Sequence, residues 1–288
     1  MIVVAGATGS LGSRIVEGLR ERRENVRALV RPTSNHSALQ QAGVPVIYGD
    51  LTQPATLERA LAGARVVITT ATTSKKNDDT IENVDVAGNQ NLIEAARKAG
   101  VEHFVFISTV GATPDHPVPL FRAKGLAEQA LRDSGMAWTI LQPNIFMDVW
   151  FGALIEAPLF TGRPVTLVGE SQRRHSFVAE RDVAAFAITA IRMPAARNRT
   201  ILIGGPEALT WRDVVAAYSR ASGLEIPIER VAPGEPIPGL PEPVVELAAA
   251  LETYDSPIPM ERTAAEFGVE LTGVDDFAQM RLNPELQA

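Results

Sequence analysis

MIVVAGATGSLGSRIVEGLRERRENVRALVR, residues 1–31, decides the fold of this chain. A short apolar run ends in Gly6, Gly9 and Gly12, passes into helical periodicity, and closes on a second apolar run, Val26-Arg27-Ala28-Leu29-Val30. The order is strand, glycine turn, helix, strand. Each glycine then has a physical reason to be there. Gly6 permits the tight turn off the strand, Gly9 lets the backbone approach a pyrophosphate, and Gly12 lets the helix pack closely on the sheet. The helix opens with free N–H groups and the positive end of its dipole, with the hydroxyls of Thr8 and Ser10 nearby, so the turn suits a phosphate. A glycine triplet alone is weak; its place between a strand and a helix is the context that gives it meaning.

Around that turn stands a chain of 288 residues, 45% hydrophobic, long enough to bury a full core as one large or two small domains. A net charge of -7 leaves no overall positive field to draw a nucleic-acid backbone or an anionic membrane. The lack of cysteine removes disulfides and thiolate chemistry, and His36, His103, His116 and His175 are scattered without ligand spacing, so no metal is expected. The first strand begins at Ile2, with no room for a targeting peptide, and the most apolar long stretch, 137–160, is interrupted by Gln142, Pro143, Asn144, Asp148 and Glu156. A cytoplasmic protein is the expectation.

Arg31 stands at the carboxyl end of the second strand, the position that selects a dinucleotide: an acid there would bond the adenosine ribose hydroxyls, whereas an arginine can pair with a 2′-phosphate. No Asp or Glu lies near this strand end in the sequence, so Arg31 points to NADP. A helix over 34–42 leads to a strand over 44–48 and to Gly49-Asp50-Leu51. Asp50 could accept from an adenine amine, or Asp50 or Thr52 could cap the next helix, 54–61. The strand over 64–70 runs into Thr69-Thr70-Ala71-Thr72-Thr73-Ser74, small residues that let a cofactor pass close to the backbone, followed by a polar loop, 75–80. A helix over 81–100 with Gly100 as its cap precedes the strand 103–107, whose near-continuous apolar run suits burial on both faces. That strand ends at Ser108-Thr109, where ligand sites of open α/β sheets lie. A helix over 120–134 carries Lys124, and the strand 137–141 leaves Pro143-Asn144-Ile145 at its carboxyl end. Six strands alternating with helices define an α/β fold with a doubly wound parallel sheet over residues 1–145.

Residues 146–288 read as a smaller C-terminal α/β lobe. It holds a strand at 164–168, a helix at 182–191, a strand at 198–203 returning to the main sheet, and a helix over 210–222 capped by Thr210 with Asp213 in its first turn. The proline-rich run 227–243 reads as a linker or surface excursion, with helices near 244–253 and 262–267 after it. Phe146, Met147, Trp150, Phe151 and Phe160 either wall a substrate pocket or pack the lobe's own core.

GATGSLG at 6–12, Arg31, Gly49-Asp50-Leu51, NVDVAGNQNLIEAARKAGV at 83–101, HFVFIST at 103–109, RAKGLAEQALRDSGMAWTILQPNIF at 122–146 and HSFVAERDVAAFA at 175–187 resemble the NmrA-like atypical short-chain dehydrogenase/reductases. That family includes triphenylmethane reductase and NADPH quinone reductase relatives. The resemblance implies a Rossmann domain binding NADP (NADPH) and a smaller carboxyl-terminal substrate lobe. Taken with the residue reading, the candidate cofactor-binding residues are Gly6, Thr8, Gly9, Ser10, Leu11, Arg31, Asp50, Leu51, Thr70, Ala71, Thr72, Ser108, Lys124, Pro143, Asn144 and Ile145. Lys124 and His116 are the candidate catalytic residues, and Phe146, Trp150 and Phe151 the candidate substrate wall.

Ordinary short-chain dehydrogenases carry a tyrosine four residues before the active-site lysine. Here that place is Leu120, and Tyr48, Tyr218 and Tyr254 all lie outside that helix. Lys124 could hold the nicotinamide ribose or donate a proton, with His116 and His175 as weaker acid candidates. Ser108, His175 and Asp182 have the residue types of a hydrolase triad, but no nucleophile elbow surrounds Ser108. The expected function is an NADPH-dependent reductase passing hydride to a small electron-poor acceptor, a quinone, conjugated dye or enone, whose delocalised charge needs little proton help. Such a protein works without nucleic acid or membrane, as a monomer or homodimer. The alternative is a non-catalytic NADP(H) sensor that binds a protein partner. An epimerase or dehydratase is disfavoured by the missing tyrosine.

Overall fold

The computed structural model describes residues 1–73 and 78–283, and the chain divides into two compact units, Met1–Pro143 with Val183–Leu202, and Asn144–Asp182 with Ile203–Ala288. In chain order the strands are β1 (Ile2–Ala5), β2 (Val26–Val30), β3 (Val46–Tyr48), β4 (Val66–Thr69), β5 (His103–Ile107), β6 (Ala137–Pro143), β7 (Val165–Val168), β8 (Arg199–Ile203) and β9 (Ile228–Val231). The helices of the first part are α1 (Ser10–Glu21), α2 (Ser37–Gln41), α3 (Pro54–Ala60), α4 (Ala87–Lys98) and α5 (Pro119–Asp133).

The first unit is built on a seven-stranded sheet in the order β3-β2-β1-β4-β5-β6-β8. The pairs from β3 across to β6 are parallel, with Ala5 opposite Leu29 on one side and Thr69 on the other. The order reverses at β1, so the connections leaving β1 and β4 go to opposite directions along the sheet, and the crevice they leave is the binding position of such folds. All five residues of β5 are buried, His103 included, as the near-continuous apolar run suits a central parallel strand. One face of the sheet packs Val3, Val67, Phe104 and Phe106 with Leu57, Leu61, Leu92 and Ile93 of α3, α4 and the turn after α3. On α1, Ile15, Val16 and Leu19 are buried at helical spacing, and Gly18 brings Ile188 so close that an added Cβ would lie 2.6 Å from its Cδ1.

Two expectations change here. The single helix over 81–100 is instead a widened, π-type turn over Ile81–Val86 followed by α4. Thr80 and Asn83 form a reciprocal capping box at its start, and the Asn89 amide reaches back to the carbonyls of Val84 and Asp85, which the wider turn leaves short of partners. The cap of α3 is Gln53, neither Asp50 nor Thr52, because Asp50 spends its carboxylate on the Thr52 N–H and hydroxyl at 2.9 and 2.8 Å. Of the polar loop at 75–80, residues 75–77 lie outside the described residues.

The second unit pairs β7 with β9 in parallel and packs them with helices α6 (Met147–Phe151), α7 (Ala157–Phe160), α9 (Trp211–Ser222), α10 (Glu242–Leu251), α11 (Glu261–Phe267) and α12 (Val274–Leu282); α8 (Glu180–Ala190) spans the boundary between units. The stretch 227–243 is thus more than a linker, since β9 lies inside it. An edge strand bonded on one side tolerates flanking prolines, and Pro227 still offers its carbonyl to Val165. Thr210 and Asp213 cap α9 reciprocally, as the sequence indicates. Helix α12 has no counterpart in the sequence reading; its Val274, Phe277 and Ala278 are buried, and Arg281 forks onto Glu156, which also accepts the Tyr218 hydroxyl at 2.6 Å.

Candidate functional site

In the first unit the ends of β1, β2, β4 and β5 carry most of the sequence-predicted residues. Gly6 has a φ of +79°, and a Cβ there would meet Thr70 Oγ1 at 2.5 Å and Ala71 N at 2.9 Å. A Cβ on Gly12 would lie 2.1 Å from the Gly6 carbonyl oxygen. The turn is therefore closed on its inner side by backbone. On its outer side Gly9 caps α1 without a side chain, and Thr8 and Ser10 are exposed. The first-turn N–H groups of α1 have no intrahelical acceptor, and no acid stands in that turn. Leu11 is buried, so only its backbone faces a ligand. A cradle that a Cβ would fill, at the N-terminus of a helix with no acid in its own first turn, fits a pyrophosphate.

The Thr70 hydroxyl donates toward the carbonyls of Ala5 and Gly6 at 3.4 and 3.3 Å, which ties the exit of β4 to the exit of β1. Beyond it, Thr72 and Thr73 are held by a residue the sequence reading missed, Asp85. Its carboxylate is fully buried and accepts from the Thr72 hydroxyl at 2.6 Å, from the Thr73 N–H at 2.9 Å and from the Thr73 hydroxyl. A signal for it exists in the sequence: Asp85 lies on the face marked by Ile81, Val84, Gly88 and Leu92, where an acid has no reason to be unless it is paired.

Its charge partner is Lys124. The ammonium sits 3.6 Å from Asp85 and 3.4 Å from the Ala71 carbonyl, over the Phe106 ring at 5.2 Å, with the residue 7% exposed. Burial holds the lysine below the ordinary ammonium range, while Asp85 works in the opposite direction. Next to Lys124, Gly125 allows the backbone of Thr113 and Pro114 to cross α5; a Cβ would stand 2.2 Å from the Thr113 carbonyl carbon. This seats the loop that carries His116. The His116 ring stacks on Phe121 at 4.8 Å and its Nδ1 accepts from the Val118 N–H at 3.0 Å, so in the neutral ring Nε2 carries the proton.

Other predicted residues are committed elsewhere. The buried Ser108 hydroxyl donates to Glu128 at 2.5 Å, a carboxylate that also accepts from Gln142 and Arg132. Within the second unit the His175 Nδ1 meets Ser256 and Asp182 accepts from Thr272, so each group named for a triad has a different partner. The Pro143 carbonyl accepts from Val110. Asn144 donates to Ser176 and to the Ser256 carbonyl at 3.1 and 3.0 Å, an intra-unit scaffold role, and Ile145 is buried. Phe151 is fully buried among Phe177, Tyr218, Trp211 and Phe277, which makes it core and not pocket wall. Phe146 and Trp150 remain half-buried. Leu51 gives its carbonyl to Asn91.

At the end of β2 the structure corrects the sequence reading. Arg31 does have an acid beside it, since its Nη1 donates to both oxygens of Asp79 at 2.7 and 3.0 Å. The two residues are 48 apart in the chain, outside any local window.

A parallel sheet reversing beside a side-chain-free glycine turn, with a buried lysine on the same sheet's flank, defines a Rossmann-type dinucleotide-binding protein. The chain belongs to the NAD(P)H-binding family, whose model matches residues 6–194. It is 35% identical over 227 residues to an NAD(P)H azoreductase of Xenophilus azovorans, covering 78% of this chain and 75% of that one. It is 31% identical over 230 residues to the photosystem II assembly factor Ycf39 of Cyanophora paradoxa, covering 80% and 71%. The solved structure of Citrobacter sp. triphenylmethane reductase complexed with NADP(H) shares the fold at a TM-score of 0.81, with 24% identity over 98% of this chain and 99% of that one. Among the described residues no helix is long and apolar enough to cross a membrane.

Proposed function

We propose that this protein is an NADPH-dependent oxidoreductase that passes hydride to an electron-poor organic acceptor of quinone, dye or enone type. The observation that carries the reading is the buried Lys124, held by Asp85 and the Ala71 carbonyl on the exit of β4, the strand beside the glycine turn. A bound dinucleotide supplies the hydride. The first-turn amides of α1 with Thr8 and Ser10 hold its phosphates, Thr70, Ala71 and Thr72 line its path, and Arg31 meets the adenosine end. Lys124 donates hydrogen bonds to ribose hydroxyls, and Asp85 keeps the ammonium in place. His116 Nε2–H is the candidate proton donor, and an acceptor that delocalises charge asks little of it. The likeness to an azoreductase supports the acceptor class, and a cytoplasmic monomer or homodimer goes with the reading.

The test is loss of reduced-nicotinamide absorbance over a panel of quinones, azo and triarylmethane dyes and enones, with NADPH and NADH in parallel. Saturable turnover is the expected result. The second reading, an NADP(H) sensor with a protein partner, is favoured by Leu120 in the place of the usual tyrosine and by the likeness to assembly factors. A rise in Tm with NADP+ but no turnover on any acceptor would replace the first reading with the second.

A further inference from the structure

The Arg31–Asp79 pair is shielded, with side chains 25% and 7% exposed. Asp79 is not a swinging residue, because the chain is pinned on either side of it. The Asn83 amide donates to the Asp78 carbonyl at 2.8 Å, and Thr80 and Asn83 close the capping box. Among the described residues, only Nη1 of the guanidinium is engaged, so the edge carrying Nε and Nη2 keeps the forked geometry that suits a phosphate. A 2′-phosphate seated there must share the guanidinium's charge with a carboxylate fixed on the neighbouring nitrogen, and the two anions repel across it. A 2′-hydroxyl carries no charge and meets no such opposition. It can also donate to the carboxylate.

We propose that Asp79 is the specificity-determining residue at the end of β2: by offsetting Arg31 it lowers the preference for NADP(H) and lets the protein accept NAD(H) as well. The proposal rests on the reading of the glycine turn as a dinucleotide site. The neutral variant Asp79→Asn frees the whole charge of Arg31 for the phosphate.

Calorimetric titration of NADP+ and NAD+ into the wild type, Asp79→Asn, Asp79→Glu and Arg31→Glu tests it. Wild type is expected to bind both dinucleotides. Asp79→Asn is expected to bind NADP+ about tenfold more tightly, the size of one lost charge repulsion near a protein surface, with no gain in NAD+ affinity. The charge-conserving Asp79→Glu keeps the wild-type ratio, and Arg31→Glu loses NADP+ while retaining NAD+. An unchanged NADP+/NAD+ ratio in Asp79→Asn, or weaker NADP+ binding, overturns the inference while leaving the dinucleotide site intact. A folded wild type that binds neither dinucleotide overturns the site reading and this inference with it.

Discussion

Alanine at Gly9 and alanine at Gly12 each add one methyl group to the same turn, and the structure gives them opposite consequences. At Gly9 the backbone is extended, φ -81° and ψ 166°, which any residue adopts, and the nearest atom to a new Cβ is the Gly6 carbonyl oxygen at 3.3 Å. Alanine is a poorer N-cap than glycine by under about 1 kcal/mol, but it loses less chain entropy on folding by a similar amount. Gly9→Ala should therefore fold with near wild-type stability. At Gly12 the new carbon would stand 2.1 Å from that oxygen and 2.7 Å from the Gly6 carbonyl carbon, and both obstacles are backbone. The turn must open by roughly an ångström, at an overpacking cost of about 2–3 kcal/mol, against about 1 kcal/mol of helix propensity gained. Urea unfolding should then place Gly12→Ala about 1–2 kcal/mol below wild type. Dinucleotide titration should separate the pair in a second way: if Gly9 lets a pyrophosphate approach the backbone as proposed, Gly9→Ala, stable as it is, loses at least about tenfold in affinity. Full affinity in Gly9→Ala would refute the phosphate-cradle reading. A wild-type unfolding curve for Gly12→Ala would refute the steric account.

Removing Lys124 leaves Asp85 buried without its counter-charge, so Lys124→Ala should lose about 3 kcal/mol of stability together with dinucleotide affinity and turnover, and Lys124→Met, which refills the volume but leaves the carboxylate equally uncompensated, should lose stability and affinity as well. If both variants kept affinity and turnover, Lys124 would have no part in the site. His103 provides the pH prediction. Burial pushes its imidazole down to about 4, and its Nε2 lies 2.8 Å from the Thr139 hydroxyl, which itself donates to Ala196. The unfolded chain takes up the proton first as pH falls from about 6.5 to about 4, so stability is complete above that window and declines through it, by up to about 3 kcal/mol. His103→Gln keeps a donor for Thr139 and should flatten the slope in urea melts at pH 7 and pH 4.5. An unchanged slope would assign the acid sensitivity to other groups.

The strands of the sheet and the glycine turn were legible because a parallel strand buried on both faces writes its burial as an unbroken apolar run, and because Gly6 and Gly12 are demanded by backbone crowding that no other residue satisfies. The capping of α9 was legible for a similar reason, since Thr210 and Asp213 act within three residues of each other. The partners of the candidate site were not. Asp79 reaches Arg31, and Lys124 reaches Asp85, through the topology of the sheet, so no local pattern joins them. The aromatic residues after β6 show the limit most clearly: Phe151 and Trp150 are adjacent in sequence, yet one is wholly buried in the core and the other half-exposed, a difference set by helix phase in α6 and by neighbours supplied from α9 and α12. Helix α12 itself gave only three buried positions in nine residues, too few to stand out.

The chain enters the first unit, leaves it after Pro143, returns for Val183–Leu202 and leaves again. The return supplies β8, the neighbour of β6 at the end of the sheet, and the helix residue Ile188 that fits against Gly18. A fragment cut at residue 143 would keep the whole glycine turn and six of the seven strands, but would expose the backbone donors and acceptors of β6 along an open edge, an invitation to pair with other chains. Recombination between relatives meets the same constraint. A single crossover at the junction gives each hybrid a sheet whose last strand comes from a different parent, so exchange of the second unit in this architecture requires two crossovers, one on either side of the returning segment.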